Sequence, residues 1–245
     1  MGSDPFFQKG QRDLIPSRSM ADETINGDLS VRVTVETASM PWSPSPSPSV
    51  WRKRVHRVGP PESGQVTSIV RYDAQSHFPV HDHPEGEEIF VLEGVFSDDR
   101  RDWPAGTYLL NPEGYRHAPS SRDGCQLFVK LRQFPGLDRN QVAIDTNAMD
   151  WKPGEITGIE VKPLYTQPGY RDSMALERWS TSFSSRDRAY AEGAEILVLE
   201  GEFGDETGNY HPGTWIRYPP GETHSPRSIE GCTLYIKQGG HPYLR

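Results

Sequence analysis

The chain repeats itself. Displaced by 107 residues, Glu85–Lys130 falls on Glu192–Lys237 without a gap, and 21 of the 46 positions are identical. Val91-Leu-Glu-Gly94 meets Val198-Leu-Glu-Gly201, and Pro112-x-Gly114-x-x-His117 meets Pro219-x-Gly221-x-x-His224. Gly124-Cys125 likewise meets Gly231-Cys232, and a looser match upstream has Trp42 and Trp151 opening comparable segments. So dense a self-match means duplication of one small unit, and any fold proposed for one copy must serve for both.

Each unit reads as short strands. Glu88-Ile-Phe-Val-Leu92 and Cys125-Gln-Leu-Phe-Val-Lys130 are strand-like runs, 23 glycines and 22 prolines mark many turns, and no long helical pattern stands out. An all-β chain follows. A small antiparallel barrel or jelly roll suits each copy, because it closes its edges and leaves room for a ligand. Ser43-Pro-Ser-Pro-Ser-Pro48 reads either as an extended polyproline-type strip, serving as a lid or crossing a sheet edge, or as low-complexity disorder. The net charge of −8 comes without a sustained basic patch, so nucleic-acid binding has little electrostatic support. No run approaches the ~20 apolar residues of a membrane span, and the first twenty residues lack the apolar core of a secretory signal. Two cysteines, Cys125 and Cys232, do not make a disulfide framework. Cytoplasmic residence is the default expectation.

Chemistry concentrates at His81-Asp-His83-Pro-Glu-Gly-Glu87, answered by His117. Successive side chains of a strand alternate faces, so His81 and His83 point one way and Asp82 the other. Two imidazoles on one face, a third from another strand and a carboxylate make a site for one Zn²⁺, Fe²⁺, Mn²⁺ or Ni²⁺. The bland alternative is a set of surface histidines in a polar turn. His77, four residues before His81, shares its face if the strand is regular; it then orients a ligand or shuttles a proton, or is a plain surface histidine at a barrel mouth. Tyr72, Phe90, Tyr108 and Phe128 either line the cavity or form ordinary core.

These residues resemble the cupin superfamily. The first cupin motif, HxH, three or four residues, Glu, six residues, Gly, is met by His81, His83, Glu87 and Gly94. The second, Gly, five residues, Pro-x-Gly, two residues, His, is met by Gly106, Pro112, Gly114 and His117. Phe78–Asp98 and Asn111–Ser121 look like the ChrR-like cupins, a group similar to the iron-dependent acetylacetone and dihydroxyacetophenone dioxygenases. The resemblance implies two tandem cupin (double-stranded β-helix) barrels: 1–36 a tag-like or disordered tail, 37–140 a metal-binding barrel, 141–245 a degenerate one. Departures lie off the ligand positions: Gln75 or a neighbour replaces the glycine before the first His, and Ser121 stands where Asn is common. The anti-sigma domain that precedes the cupin in ChrR has no counterpart, which weakens any claim on a sigma factor.

The second copy acts as an internal control. It carries Arg188, Tyr190 and Ala194 at the positions of His81, His83 and Glu87, and keeps only His224 for His117. It should not hold a metal tightly, and serves as a structural or dimer-forming partner. Glu88 persists as Glu195 where the histidines are gone, whereas Glu87 disappears with them. Glu87 is therefore the expected ligand and Glu88 serves the fold. Cys125 and Cys232 persist in both copies, which favours buried packing over redox chemistry.

The expected activity is that of a mononuclear dioxygenase-type enzyme on a small diketone or hydroxyketone, with one divalent metal held by His81, His83, Glu87 and His117. Glu87 and His77 are the candidate acid–base groups. The competing reading is a non-enzymatic ChrR-like zinc module that senses a ligand and signals to a protein partner such as a sigma factor. A homodimer, a small-molecule ligand, no nucleic acid and no membrane complete the expectations.

Overall fold

In the computed structural model, which describes residues 24–245, two barrels of one design are built almost wholly of strands. One main sheet runs, edge to edge, Val142–Asp145, Thr107–Asn111, Glu87–Ser97, Cys125–Leu131, Gln65–Tyr72, Val50–Val58, Ser43–Pro44. The other runs Val33–Glu36, Thr214–Tyr218, Ala194–Gly201, Cys232–Gln238, Ser173–Trp179, Ile159–Tyr165, Lys152–Pro153. The two orders match strand for strand, as the duplication requires, and neighbouring strands in them pair antiparallel. Short ribbons such as His81–His83 with Tyr115–His117 complete the first barrel. No α-helix occurs among the described residues, and none of their helices is long and apolar enough to cross a membrane.

The two outermost strands are exchanged. Val33–Glu36 lies ahead of the first unit yet pairs with Thr214–Tyr218 of the second, Val33 opposite Arg217 and Glu36 opposite Thr214. Val142–Asp145 lies ahead of the second unit and pairs with Thr107–Asn111 of the first. Each strand then turns through a 3-10 segment anchored on the barrel it has joined: Thr37 donates to the Gly213 carbonyl and Thr146 to the Gly106 carbonyl, both at 2.7 Å. Lys53 and Lys162 cap the two turns from beneath, and lie over the rings of Trp42 and Trp151 at 4.4 and 4.5 Å. The matching tryptophans are thus the two ends of one reciprocal swap. Sequence unit and structural barrel differ by one strand.

This corrects the expectation of a tail through residue 36. Residues 1–23 lie outside the described residues, but Ile25 already bridges to Arg57, and Val33–Glu36 supplies a sheet edge. Alternating half-buried and exposed side chains in Val33-Thr-Val-Glu36 suit an edge strand, and the strand covers backbone groups that would otherwise be left unpaired. The Ser-Pro strip crosses a sheet edge, with Ser43 and Pro44 opposite Arg52 and Trp51; proline is tolerated there because an edge strand need not donate on its outer side.

Apolar residues segregate into three clusters. Ile89, Val91, Leu127 and Phe96 fill the first barrel, and Trp179, Tyr190, Phe203 and Tyr218 the second. Between the barrels lie Phe90, Tyr108 and Phe128 from one side and Leu197, Trp215 and Tyr235 from the other. Phe90, Tyr108 and Phe128 therefore face the partner barrel, not the cavity; only Tyr72 of the four proposed aromatics reaches it. Strand alternation decides this, since Phe90 points to the face opposite Ile89 and Val91.

A buried charge network crosses the same interface. Lys130 of the first barrel donates to Glu195 of the second, Tyr235 donates to Glu88 at 2.6 Å, and Trp215 donates to Glu195 at 3.2 Å. Burial alone would raise the Glu195 carboxyl, but Lys130 and Lys237 outweigh it and bring it down to about 2. Glu88 is pushed up by burial, which the same two lysines offset only in part. Glu88 thus joins the barrels together, as its persistence in both copies suggested.

Candidate metal centre

His81–His83 and Tyr115–His117 pair antiparallel, with His81 opposite His117. The pairing sets three imidazoles on one face, and one ring nitrogen from each lies within 4.8 Å of the others. His83 and His117 are buried and their Nε2 atoms are 2.8 Å apart, while His81 is half-buried at the mouth. His81 Nδ1 is 2.9 Å from the Pro79 carbonyl, so it donates there and leaves Nε2 as the free lone pair.

Glu87 stands beside this group, at the first position of its strand. Its Oε2 is 3.4 Å from His117 Nε2 and 3.6 Å from His83 Nε2, and Asn111 donates to the same oxygen at 3.0 Å from the position directly across the ladder. Behind His117, Asp98 Oδ2 lies 3.8 Å from Nδ1, a buried nitrogen with no hydrogen-bond partner among the described residues. A carboxylate behind an imidazole fixes its tautomer and raises its basicity toward a metal.

The electrostatics favour a cation at this point. Burial lowers the His83 imidazole to about 3, with His81 adding to the effect, and burial also lowers His117 against the pull of Glu87. Both rings are therefore neutral at physiological pH, the state in which imidazole ligates. Burial raises the Glu87 carboxyl, which His117 and Asn111 offset only in part, so a buried carboxylate here lacks a full counter-charge. Ring nitrogens of three histidines converging beside a buried carboxyl group fit a divalent ion. Three imidazoles are a reasonable set for one divalent metal.

A cavity of about 460 Å³ opens from this cluster into the first barrel. Its walls are mainly apolar, among them Val50, Val70, Tyr72, Phe96 and Leu127, with His81, His83 and Glu87 at one end. An apolar chamber ending in a few convergent polar groups is the usual form of a small-molecule site.

His77 is not part of it. Its side chain is exposed, it pairs with Ser120, and it belongs neither to the donor cluster nor to the cavity wall. The same-face rule fails because the strand Ser76–His77 stops at Phe78-Pro79-Val80, so alternation is not continuous to His81. Asp98 and Asn111 were not anticipated. Asp98 did carry a signal, since Asp205 matches it across the repeat just as His224 matches His117.

In the second barrel the same positions hold a plug. Arg188 forms a two-point ion pair with Glu177 at 2.7 and 3.0 Å, Tyr190 packs on Tyr218 and His224, and Ala194 leaves no carboxylate. Arg32, delivered by the exchanged strand, reaches Asp205 at 2.6 Å, Tyr210 at 2.7 Å and Tyr218 at 3.1 Å. Cys125 and Cys232 are buried and free, and burial pushes their thiols up to about 11 and 12, out of reach of thiolate chemistry.

The ChrR cupin-like domain matches this sequence twice, over residues 30–135 and 139–242. The chain belongs to the ChrR cupin-like family. No curated protein matches it in sequence. Solved structures share the fold. A candidate dioxygenase from Nostoc punctiforme has a TM-score of 0.71 at 14% identity, over 84% of this chain and 82% of the other. YlbA from Escherichia coli has a TM-score of 0.64 at 14% identity, over 94% and 98%. Oxalate decarboxylase from Lactobacillus farciminis has a TM-score of 0.59 at 14% identity, over 84% and 86%. In this cupin the leading strand at Val33 falls inside the first matched region, in keeping with its place in a barrel.

Proposed function

We propose that this bicupin is a mononuclear metal enzyme of the dioxygenase type, acting on a small diketone or hydroxyketone in its N-terminal barrel. The convergence of His81, His83 and His117, with Glu87 beside them, at one end of an apolar cavity carries the reading. The three imidazoles would hold the ion, and Glu87 would stand either as a fourth ligand or, released from the ion, as a base. A bound divalent metal would supply Lewis acidity toward two chelating oxygens and, as iron, a redox partner for O₂.

The chain's own residues prepare the substrate. Tyr72, Phe96 and Leu127 exclude water around its apolar body. The Glu87 carboxylate, made more basic by burial, takes the acidic proton from the carbon between two carbonyls at Oε2, and Asn111 holds that oxygen in place by its hydrogen bond. His77 has no step.

The experiment is elemental analysis of protein purified without added metal, paired with O₂ uptake on acetylacetone and hydroxyacetophenones. Iron with O₂ consumption is the expected result. Stoichiometric zinc and no turnover across the panel would sink the enzymatic reading in favour of a zinc-binding regulatory cupin.

A further inference from the structure

The residue that follows Cys125–Leu131 in the first barrel and its counterpart Cys232–Gln238 in the second has a left-handed backbone. In the second barrel it is Gly239, at φ +71°, a residue for which this conformation carries no steric penalty. In the first it is Arg132, at φ +60°, where a side chain is disfavoured. The turns are otherwise alike: Arg132 N–H donates to the Gly86 carbonyl at 2.9 Å and Gly239 N–H to the Gly193 carbonyl at 3.2 Å. Gln65 donates to the Arg132 carbonyl at 2.7 Å and holds the strained residue in place. Six non-glycine residues among those described have positive φ, and only Arg132 lines the cavity.

The Arg132 side chain has no hydrogen-bond or ion-pair partner among the described residues. The cavity's other arginine, Arg52, is committed to Glu62 at 2.8 Å. Arg132 is half-buried on the cavity wall. Strain held at one position of a binding chamber, where the sister barrel has relaxed to glycine, points to function at that position. An unpaired guanidinium presents a planar fork that matches a carboxylate.

We propose that Arg132 selects the ligand of the first barrel by binding a carboxylate on its tail, while the opposite end chelates the metal held by His81, His83 and His117. The ligand class is then a short, apolar-bodied acid with a diketone or hydroxyketone head. This inference rests on the metal reading of the site.

The test is calorimetric titration of zinc-loaded full-length protein, which binds without redox turnover. The probes are heptane-2,4-dione and 4,6-dioxoheptanoate, the same diketone without and with a terminal carboxylate. The acid should bind tighter by roughly tenfold or more. Arg132→Gly should abolish that preference, keep the affinity for heptane-2,4-dione and leave the thermal midpoint unchanged or higher, because glycine takes this φ without strain. Arg132→Lys should retain part of the preference. Equal binding of the two compounds by the wild type, or a preference that survives Arg132→Gly, overturns the proposal and leaves the metal reading standing. Binding of neither compound overturns both.

Discussion

Asn111 donates to Glu87 across one rung of the first barrel, and Tyr218 and Ala194 occupy the same two positions of the second. The polar pair buries a carboxyl group beside His83 and His117, whereas the aromatic–alanine pair simply packs. Glu87→Gln should therefore raise the thermal midpoint of the metal-free protein, since the amide keeps the bond from Asn111 and removes a buried charge. The same change should weaken metal affinity by at least the roughly 10–100-fold that loss of a supporting partner costs such a site. Melts with and without chelator, alongside a competitive metal titration, would show both effects.

Acid should destabilise the metal-free protein through His83 and His117. Both have folded pKa values depressed below 6.5, so the unfolded chain binds more protons once pH falls below that value. Their contribution is fully present above 6.5 and is lost progressively as pH falls toward about 3, the His83 value. Glu87 has the opposite sign, because its raised pKa favours the folded state below about 4.5 and that benefit disappears as pH rises. Urea midpoints from pH 7 to pH 4 should decline, and His83→Gln should flatten the decline. An unchanged slope in that variant would remove His83 from the account.

The duplication, the all-β class and the donor set are legible in the sequence because each rests on identity at fixed spacing. His81 and His83 follow from strand alternation, Glu87 and His117 from the two cupin motifs they complete, and Glu87 is separated from Glu88 by what the second copy lost. Alternation also explains the errors. It carried His77 through Pro79, where the strand stops, and it left Phe90, Tyr108 and Phe128 undecided between cavity wall and ordinary core, when they pack between the barrels. The exchange of Val33–Glu36 for Val142–Asp145 leaves no local mark, since an edge strand reads the same whichever sheet it joins. Arg132 is likewise silent: its left-handed φ is a property of the turn, and only comparison with Gly239 exposes it.

Lys130→Met should be among the most damaging substitutions that spare the metal site. It strips the buried Glu195 of its nearest counter-charge and should cost about 3–5 kcal/mol in urea unfolding. Pairing it with Glu195→Gln should recover much of that loss, because no buried carboxylate then remains. If the single and double variants unfold alike, the network contributes packing and not charge balance. Glu195 also predicts an acid limb of its own. Its depressed pKa gives stability that is present above about 4.5 and lost as pH falls toward 2, and Lys130→Met should abolish it.

Deleting residues 1–36 should injure the barrel that lies farther along the chain. The deletion uncovers the edge strand Thr214–Tyr218, whose partner is Val33–Glu36, and removes Arg32 from the buried Asp205 carboxylate. Losing that charge-assisted contact alone, as in Arg32→Ala, should cost about 1.5–3 kcal/mol. The full deletion should cost more and promote association through the bared strand. Metal content should stay unchanged in both variants, because no ligand comes from the exchanged segment. Hydrogen exchange should quicken first in Phe203–Tyr218 and leave Glu87–Ser97 protected. Faster exchange in Glu87–Ser97, or loss of metal, would mean that the swapped strand supports the site itself.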